Sequence, residues 1–334
     1  MSAPPLVTIG CAVYNGDRTL ERALATLTSQ TYPHIELLLS DDGSTDRSIE
    51  ICKEVALRDS RVRLLTNPTR LGVTRNCNKL FAEASGKYFM WADQDDLRDT
   101  SFIAKAVAIL EADPGVVLCH GQSGVFVEDP ADVKLIVTFS GISGVASRSA
   151  RYWRFLREYA DTTIYGLIRT DALRRTRLWR PHLGSANALL FELLLLGTFV
   201  EIPEVLYFYA GRGLGTRPGP SQEYERMNIG RTIPWYYRPF LVLAVNQTDG
   251  IWRSPAPLHE KVVLLLMLWA HVGMVGATKV IYRLLDRLAL GRVPEWFTRA
   301  CTVVVAPGTH YVFVNGANRD LELFPPAWAL RKRS

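Results

Sequence analysis

Phe89-Met90-Trp91-Ala92-Asp93-Gln94-Asp95-Asp96 is an apolar run that ends in three carboxylates within four positions. Lys87 to Ala92 reads as an apolar strand. Like charges packed this tightly repel one another, so at neutral pH they need cations or open water around them. Open α/β sheets take their ligands beyond the carboxyl ends of parallel strands, which is where these acids stand. Hard divalent cations such as Mg²⁺ accept oxygen ligands, typically one or two carboxylates together with substrate phosphates. The competing reading of the same residues is a solvated turn, with Asp99 or Thr100 capping the next helix.

Upstream of this stretch, strand-like and helix-like segments alternate. Val7 to Val13 is a continuous apolar run, followed by turn chemistry at Tyr14-Asn15-Gly16-Asp17. Leu20, Leu24 and Leu27 form a helical stripe that stops near Gln30-Thr31-Tyr32-Pro33. Ile35 to Leu39 reads as a second strand and ends in Ser40-Asp41-Asp42-Gly43-Ser44-Thr45-Asp46. A helix carrying Ile49, Cys52, Val55 and Ala56, a third strand from Arg61 to Thr66, and a helix marked by Val73, Cys77, Leu80, Phe81 and Ala84 complete the pattern. Four such alternations predict βαβ units with right-handed crossovers: an α/β fold with a doubly wound, mostly parallel sheet flanked by helices.

Downstream, a helix is expected from Thr100 to Ala112 and strands at Val116–His120 and Val133–Phe139. The pattern changes at Gly141. Ser147 to Arg157 reads as a basic, aromatic helix, Ile164–Ile168 as a strand, Asp171–Arg177 as a short helix, Ala188–Leu196 as an apolar helix carrying Glu192, and Phe199–Ile202 as a strand. Gly211 to Pro220 is rich in Gly and Pro, which suits a boundary or a lid. The expected organisation is an α/β domain over 1–220, with halves 1–115 and 116–220, and a mainly helical region over 221–334.

Composition narrows the partners. The 334 residues are 48% hydrophobic and 22% charged with a net charge of +6, an ordinary globular balance with a basic excess that suits a phosphorylated ligand or an anionic membrane surface. There is no arginine-rich nucleic-acid motif, so nucleic acid is not an expected partner. The five cysteines are scattered without zinc or redox spacing, which suggests buried thiols and a reducing, cytoplasmic setting. Met1-Ser2-Ala3-Pro4-Pro5 lacks the basic and apolar regions of a signal peptide.

Val262 to Ala277 is nearly all apolar but falls short of the ~20 residues that cross a bilayer. Trp235-Tyr236-Tyr237-Arg238 lies upstream, and Lys279, Arg283, Arg287 and Arg292 lie downstream. Such flanks allow peripheral, in-plane contact with the cytoplasmic face of a membrane. A core or dimer helix is the alternative.

Two strand ends carry acidic turns, Asp41-Asp42 and Asp93/Asp95/Asp96, and in a doubly wound sheet such ends can border one crevice. One carboxylate there can accept from a nucleobase N–H or a ribose hydroxyl, and another can hold a metal across a diphosphate. Tyr14 offers a flat face, and Arg75 can meet phosphate oxygens. Neither a G-x-G-x-x-G fingerprint nor a G-x-x-x-x-G-K-[ST] loop follows the first strand, which reads Cys11-Ala12-Val13-Tyr14-Asn15-Gly16.

The ordered set Val13-Tyr14-Asn15, Gln30 to Pro33, Asp41 to Asp46, Arg75-Asn76, Ala84 to Tyr88 and Asp93 to Asp96 resembles family 2 glycosyltransferases of the GT-A fold. The resemblance implies a nucleotide-sugar donor, an inverting transfer to a saccharide or lipid-linked acceptor, and Mg²⁺ or Mn²⁺ on the diphosphate. It also implies that Tyr14 and Asp42 contact the base, that the Asp93–Asp96 motif binds ribose and metal, and that Asp95 or Asp96 is the metal ligand. Ala12 stands where the family often has proline. Ile164 to Leu173 is similar to its acceptor-side strand and helix. Members then place a general-base Asp at the head of a helix, but this chain reads Gly184-Ser185-Ala186-Asn187 there. Asp161 or Glu192 would have to replace that base, with Asp161 better placed along the chain. Failing that, the chain binds donor without turnover, as a scaffold of glycan assembly.

Overall fold

A computed structural model describes residues 3–133, 135–139, 142–157, 160–182, 184–210, 239–288 and 310–313. Strand β1 (Val7–Val13) lies between β2 (Ile35–Asp41) and β4 (Tyr88–Asp93), parallel to both, and β3 (Val62–Thr66) extends the sheet beyond β2. Helices α1 (Leu20–Thr28), α2 (Ser48–Arg58), α3 (Val73–Ala82) and α4 (Phe102–Ala112) make the crossovers and cover both faces.

The two-sided burial follows from the period of two along each strand. Tyr88, Met90 and Ala92 join the cluster containing Leu20, Leu24, Phe102 and Ile103, whereas Phe89 and Trp91 join the one containing Leu80, Phe81 and Leu190. Each large side chain hidden in this way contributes about 1.5–3 kcal/mol relative to exposure. The apolar run that defines β4 in the sequence is therefore what holds the acidic turn at a fixed height above the sheet.

The second half is built differently. β6 (Val116–Phe126) pairs in parallel with β9 (Thr198–Ala210). Its other edge is shared by two antiparallel partners, β8 (Leu167–Arg169) near its start and β7 (Leu135–Thr138) near its end. β8 also pairs antiparallel with β4, which makes the halves one sheet. A two-residue strand, β5 (Leu97–Arg98), follows the acidic turn and pairs with the end of β9.

Several segments differ from the sequence reading. β6 runs to Phe126 rather than stopping at His120, through Gly121-Gln122-Ser123-Gly124, residues with little intrinsic strand preference. The strand needs a small residue there, because a Cβ on Gly121 would lie 2.7 Å from Leu206 Cβ of β9. The expected strand Ile164–Ile168 is a 3₁₀ helix over Asp161–Tyr165 followed by the short β8. β9 is likewise longer than expected, ending at Ala210.

Helices α5 (Arg148–Arg157), α6 (Thr170–Arg174) and α7 (Ser185–Leu196) lie on this half. A hairpin of α8 (Pro239–Arg253) and α9 (Leu258–Leu288) packs against α7 and α5. Val262–Ala277 is the middle of α9, and among the described residues no helix is long and apolar enough to cross a membrane. The region expected to be mainly helical also supplies a strand, β10 (His310–Phe313), antiparallel to β7. The expected loop at Gly211–Pro220 lies outside the described residues, as does Trp235–Arg238.

Candidate functional site

The register of the parallel strands brings both acidic turns to one place. Ala12 pairs with Ser40 on one side and Asp93 on the other, so the end of β1 lies between the two turns. Tyr14 follows directly and is clamped by the Gln94 side chain, which accepts from Tyr14 N–H at 2.8 Å and donates to its carbonyl at 3.0 Å. The clamp is why residue 16 is glycine: a Cβ there would come within 2.5 Å of the Gln94 amide carbon. Asn15, in the left-handed region at φ 48°, accepts from Thr45 N–H at 2.8 Å and donates its own N–H to Ser44 Oγ at 3.0 Å. The Arg70 guanidinium lies 3.9 Å from the centre of the Tyr14 ring. A planar cation already seated on the ring marks it as a platform for planar groups.

The five acids of the two turns are put to different uses. Asp42 is buried and accepts from Leu71 N–H at 2.7 Å, Gly72 N–H at 2.8 Å and Asn67 Nδ2 at 3.0 Å, so it shapes the loop that leads into α3. Asp41 accepts from the Gly43 and Ser44 N–H groups through Oδ2, and its buried Oδ1 has no hydrogen-bond partner. Arg75 is exposed on the first turn of α3.

Asp93, at the end of β4, accepts from the Tyr165 hydroxyl at 2.5 Å. Asp96 is buried, with one oxygen taken by the Tyr207 hydroxyl and the other by Ala210 N–H at 2.8 Å. The Tyr165 and Tyr207 rings stack 5.2 Å apart, and buried Arg98 lies 4.4 Å from the Tyr207 ring centre. Burial pushes the Asp93 and Asp96 carboxyls above the usual aspartate range, and repulsion from Asp95 adds to it. Burial also lowers Arg98, to about 10, which leaves it a cation at neutral pH beside the acids of this cluster. Asp95 is half-buried at the tip of the turn.

A divalent cation would relieve that repulsion. Among the described residues no three His, Cys, Asp or Glu side chains converge as a complete metal cage. The donor set instead offers one or two carboxylates at the crevice, Asp95 and Asp93, which fits a hard cation completed by substrate phosphates. Asp96, with both oxygens occupied by Tyr207 and Ala210, fits less well.

The residues considered as substitutes for the base fall in two places. Asp161 opens the 3₁₀ helix whose other end, Tyr165, holds Asp93. It is open to solvent on one side yet walled by protein, and burial pushes its carboxyl up despite a hydrogen bond from Asn187. Asn187 sits on the first turn of α7 beside Ala186, is buried, and has no partner for its Oδ1. Glu192 is elsewhere engaged: it accepts from Arg177 N–H at 2.8 Å and Arg177 Nε at 2.5 Å, and Arg177 also pairs with Asp249 of α8. The fold therefore places Asp161, and not Glu192, on the line from the acidic turn to the head of α7.

Residues 8–178 match the family model for glycosyl transferase family 2. The chain belongs to that family. It is 25% identical over 223 residues to an uncharacterized glycosyltransferase of Haemophilus influenzae, a match covering 63% of this chain and 66% of the relative. In fold it is similar to Staphylococcus aureus TarS 1–349 in complex with UDP-GlcNAc, with a TM-score of 0.58 at 14% identity over 78% of this chain and 70% of that one. It is also similar to the mannosyltransferase PcManGT of Pyrobaculum calidifontis in complex with GDP-Man and Mn²⁺, with a TM-score of 0.50 at 18% identity over 91% and 85%.

Tyr14, Gln94, Asp93 and Asp95 stand at the carboxyl ends of β1 and β4, and Ala186 stands on the first turn of α7. Sequence reasoning passed over Tyr165, Tyr207, Arg98 and Asn187. Tyr165 and Tyr207 lie more than sixty residues beyond the acids that they hold, and nothing local marks them. The one available signal was the excess of acid at 93–96, which demanded buried donors from somewhere in the chain.

Proposed function

We propose that this chain transfers a sugar from a nucleoside-diphosphate sugar to an acceptor hydroxyl with inversion, in a reaction that depends on Mg²⁺ or Mn²⁺. The observation that carries the reading is the 3₁₀ helix Asp161–Tyr165, which links the acidic turn at one end to a solvent-open carboxylate at the other. The nucleobase stacks on Tyr14, whose main chain Gln94 holds in place. Asn15 and Asp93 line the ribose and diphosphate path, and Arg75 meets phosphate oxygens from the first turn of α3. Asp95, with Asp93, would hold the cation, which would supply positive charge to the leaving diphosphate.

Asp161 accepts the proton of the acceptor hydroxyl. The acceptor oxygen forms its bond to the anomeric carbon from the side opposite the leaving diphosphate, whose C–O bond breaks, so the anomeric configuration inverts. General-base help of this kind is worth about 10²–10⁴-fold. Asn187 donates to Asp161 and sets its orientation, so the pair supplies at the head of α7 what Ala186 lacks.

The test is donor binding and turnover on the full chain, with UDP-, GDP- and dTDP-sugars, in Mn²⁺ and in EDTA. Metal-dependent stabilisation by one nucleotide class, with release of free nucleoside diphosphate, supports the reading. Metal-dependent binding without hydrolysis or transfer to any acceptor supports instead a donor-binding scaffold, the reading that Ala186 favours. No binding of any donor overturns both.

A further inference from the structure

The outer face of the α8–α9 hairpin is apolar and uncovered. On α9, Leu264, Leu268 and His271 turn inward, whereas Val262, Leu266, Trp269 and Met274 recur on the opposite face and stay exposed, Leu266 to 67%. On α8, Leu241, Val245 and Trp252 do the same, at 47%, 54% and 50%. Single exposed apolar residues are ordinary, but two adjoining helices with apolar outer stripes make a patch of the kind that marks an interaction surface.

Cations outnumber carboxylates along the hairpin, five to three over residues 239–288. Two of those carboxylates are already paired: Asp249 with Arg177 and Arg253, and Glu260 with Arg148 of α5. Arg253 and Lys261 stand at the hairpin turn. Arg157 of α5 lies close enough to His271 for its charge to act there, and its guanidinium is 6.0 Å from the ring of exposed Trp153. The sequence continues α9 with Lys279, Arg283, Asp286 and Arg287. A second copy of the chain packed on this face about a two-fold axis would bring these cations against their own counterparts. An anionic lipid surface meets the apolar stripe and the basic rim together, and tryptophan is suited to the boundary between headgroups and acyl chains.

We propose that this face seats the protein on an anionic bilayer, with α9 lying in the plane of the interface and not crossing it. The ion pairs Arg177–Asp249 and Arg148–Glu260 fasten the hairpin to the rest of the fold, so docking holds the head of α7 at a fixed distance from the lipid. The inference rests on exposure and charge and is independent of the donor reading.

The test is sedimentation of the full chain with vesicles of phosphatidylcholine alone and with 30% phosphatidylglycerol (about a third anionic lipid, enough to set up a surface potential), without nucleotide. The expected result is at least tenfold more protein pelleted by the anionic vesicles, weakening with salt. Leu266→Glu and Trp269→Glu should each lower that binding tenfold with an unchanged circular dichroism spectrum, whereas Leu57→Glu, at a still more exposed apolar site on α2, should not. Protein that stays in the supernatant with both vesicle types overturns the proposal. So does binding that the hairpin variants leave intact, or light scattering that shows a dimer dissociated by Leu266→Glu.

Discussion

The side-chain amide of Gln94 holds the main chain of Tyr14 at both ends, accepting at 2.8 Å and donating at 3.0 Å. The middle residue of the acidic turn thereby fixes the height of the aromatic platform on the neighbouring strand. Gln94→Ala removes both hydrogen bonds, each worth about 0.5–1.5 kcal/mol net. The expected outcome is a fall of about 1–3 kcal/mol in stability by denaturant unfolding, and weaker nucleotide binding by calorimetry with little change in metal dependence.

Asp161→Asn should leave donor binding intact and lower kcat by about 10²–10⁴-fold. In that background Ala186→Asp, a carboxylate at the head of α7 beside Asn187, should restore part of the rate. The active base is the deprotonated form. Because burial raises the Asp161 carboxyl, the acid limb of the wild-type kcat profile should lie above the ordinary aspartate range, with activity falling as pH drops through it. A pH–rate profile unchanged by Asp161→Asn would remove that residue from the mechanism.

Glu192→Gln separates an ion pair from a base. Glu192 and Arg177 are both largely buried, and breaking a buried pair by removing one partner costs about 3–5 kcal/mol. The variant should melt several degrees lower while the folded enzyme keeps its kcat. A large fall in kcat at unchanged melting temperature would mean that Glu192 takes part in the chemistry.

His120 is buried beneath the Phe139 ring, and burial lowers its imidazole to about 4. The unfolded chain, with an ordinary value near ~6.5, takes up the proton first as pH falls. The stability that neutral His120 contributes is therefore complete above pH ~6.5 and is lost as pH drops from there towards about 4, a change of order 3 kcal/mol. Comparing wild type with His120→Gln across that window isolates this contribution from the opposite trend of Asp93 and Asp96, whose raised carboxyls bind protons more readily in the fold. The difference in unfolding free energy between the two proteins should shrink as the pH is lowered.

Sequence alone determined the parallel half. Apolar runs at 7–13, 35–41 and 88–93, each closed by turn residues, leave a buried strand little choice of conformation, and alternation with amphipathic helices dictates the crossovers. The two acidic turns and their shared crevice follow from that regularity, because parallel neighbours joined by right-handed crossovers end on the same side.

Tertiary structure decided which acid does what. Asp42 and Asp96 look like open acids in the sequence, yet the first is filled by the Asn67–Gly72 loop and the second by Tyr207 and Ala210. Glu192 and Asp161 are equally plain carboxylates until Arg177 captures one and the 3₁₀ helix ties the other to Tyr165, the partner of Asp93. A carboxylate's role depends on the donors that reach it, and here those donors come from residues 15 to 114 positions away in the chain or from a change in backbone path that no local periodicity encodes.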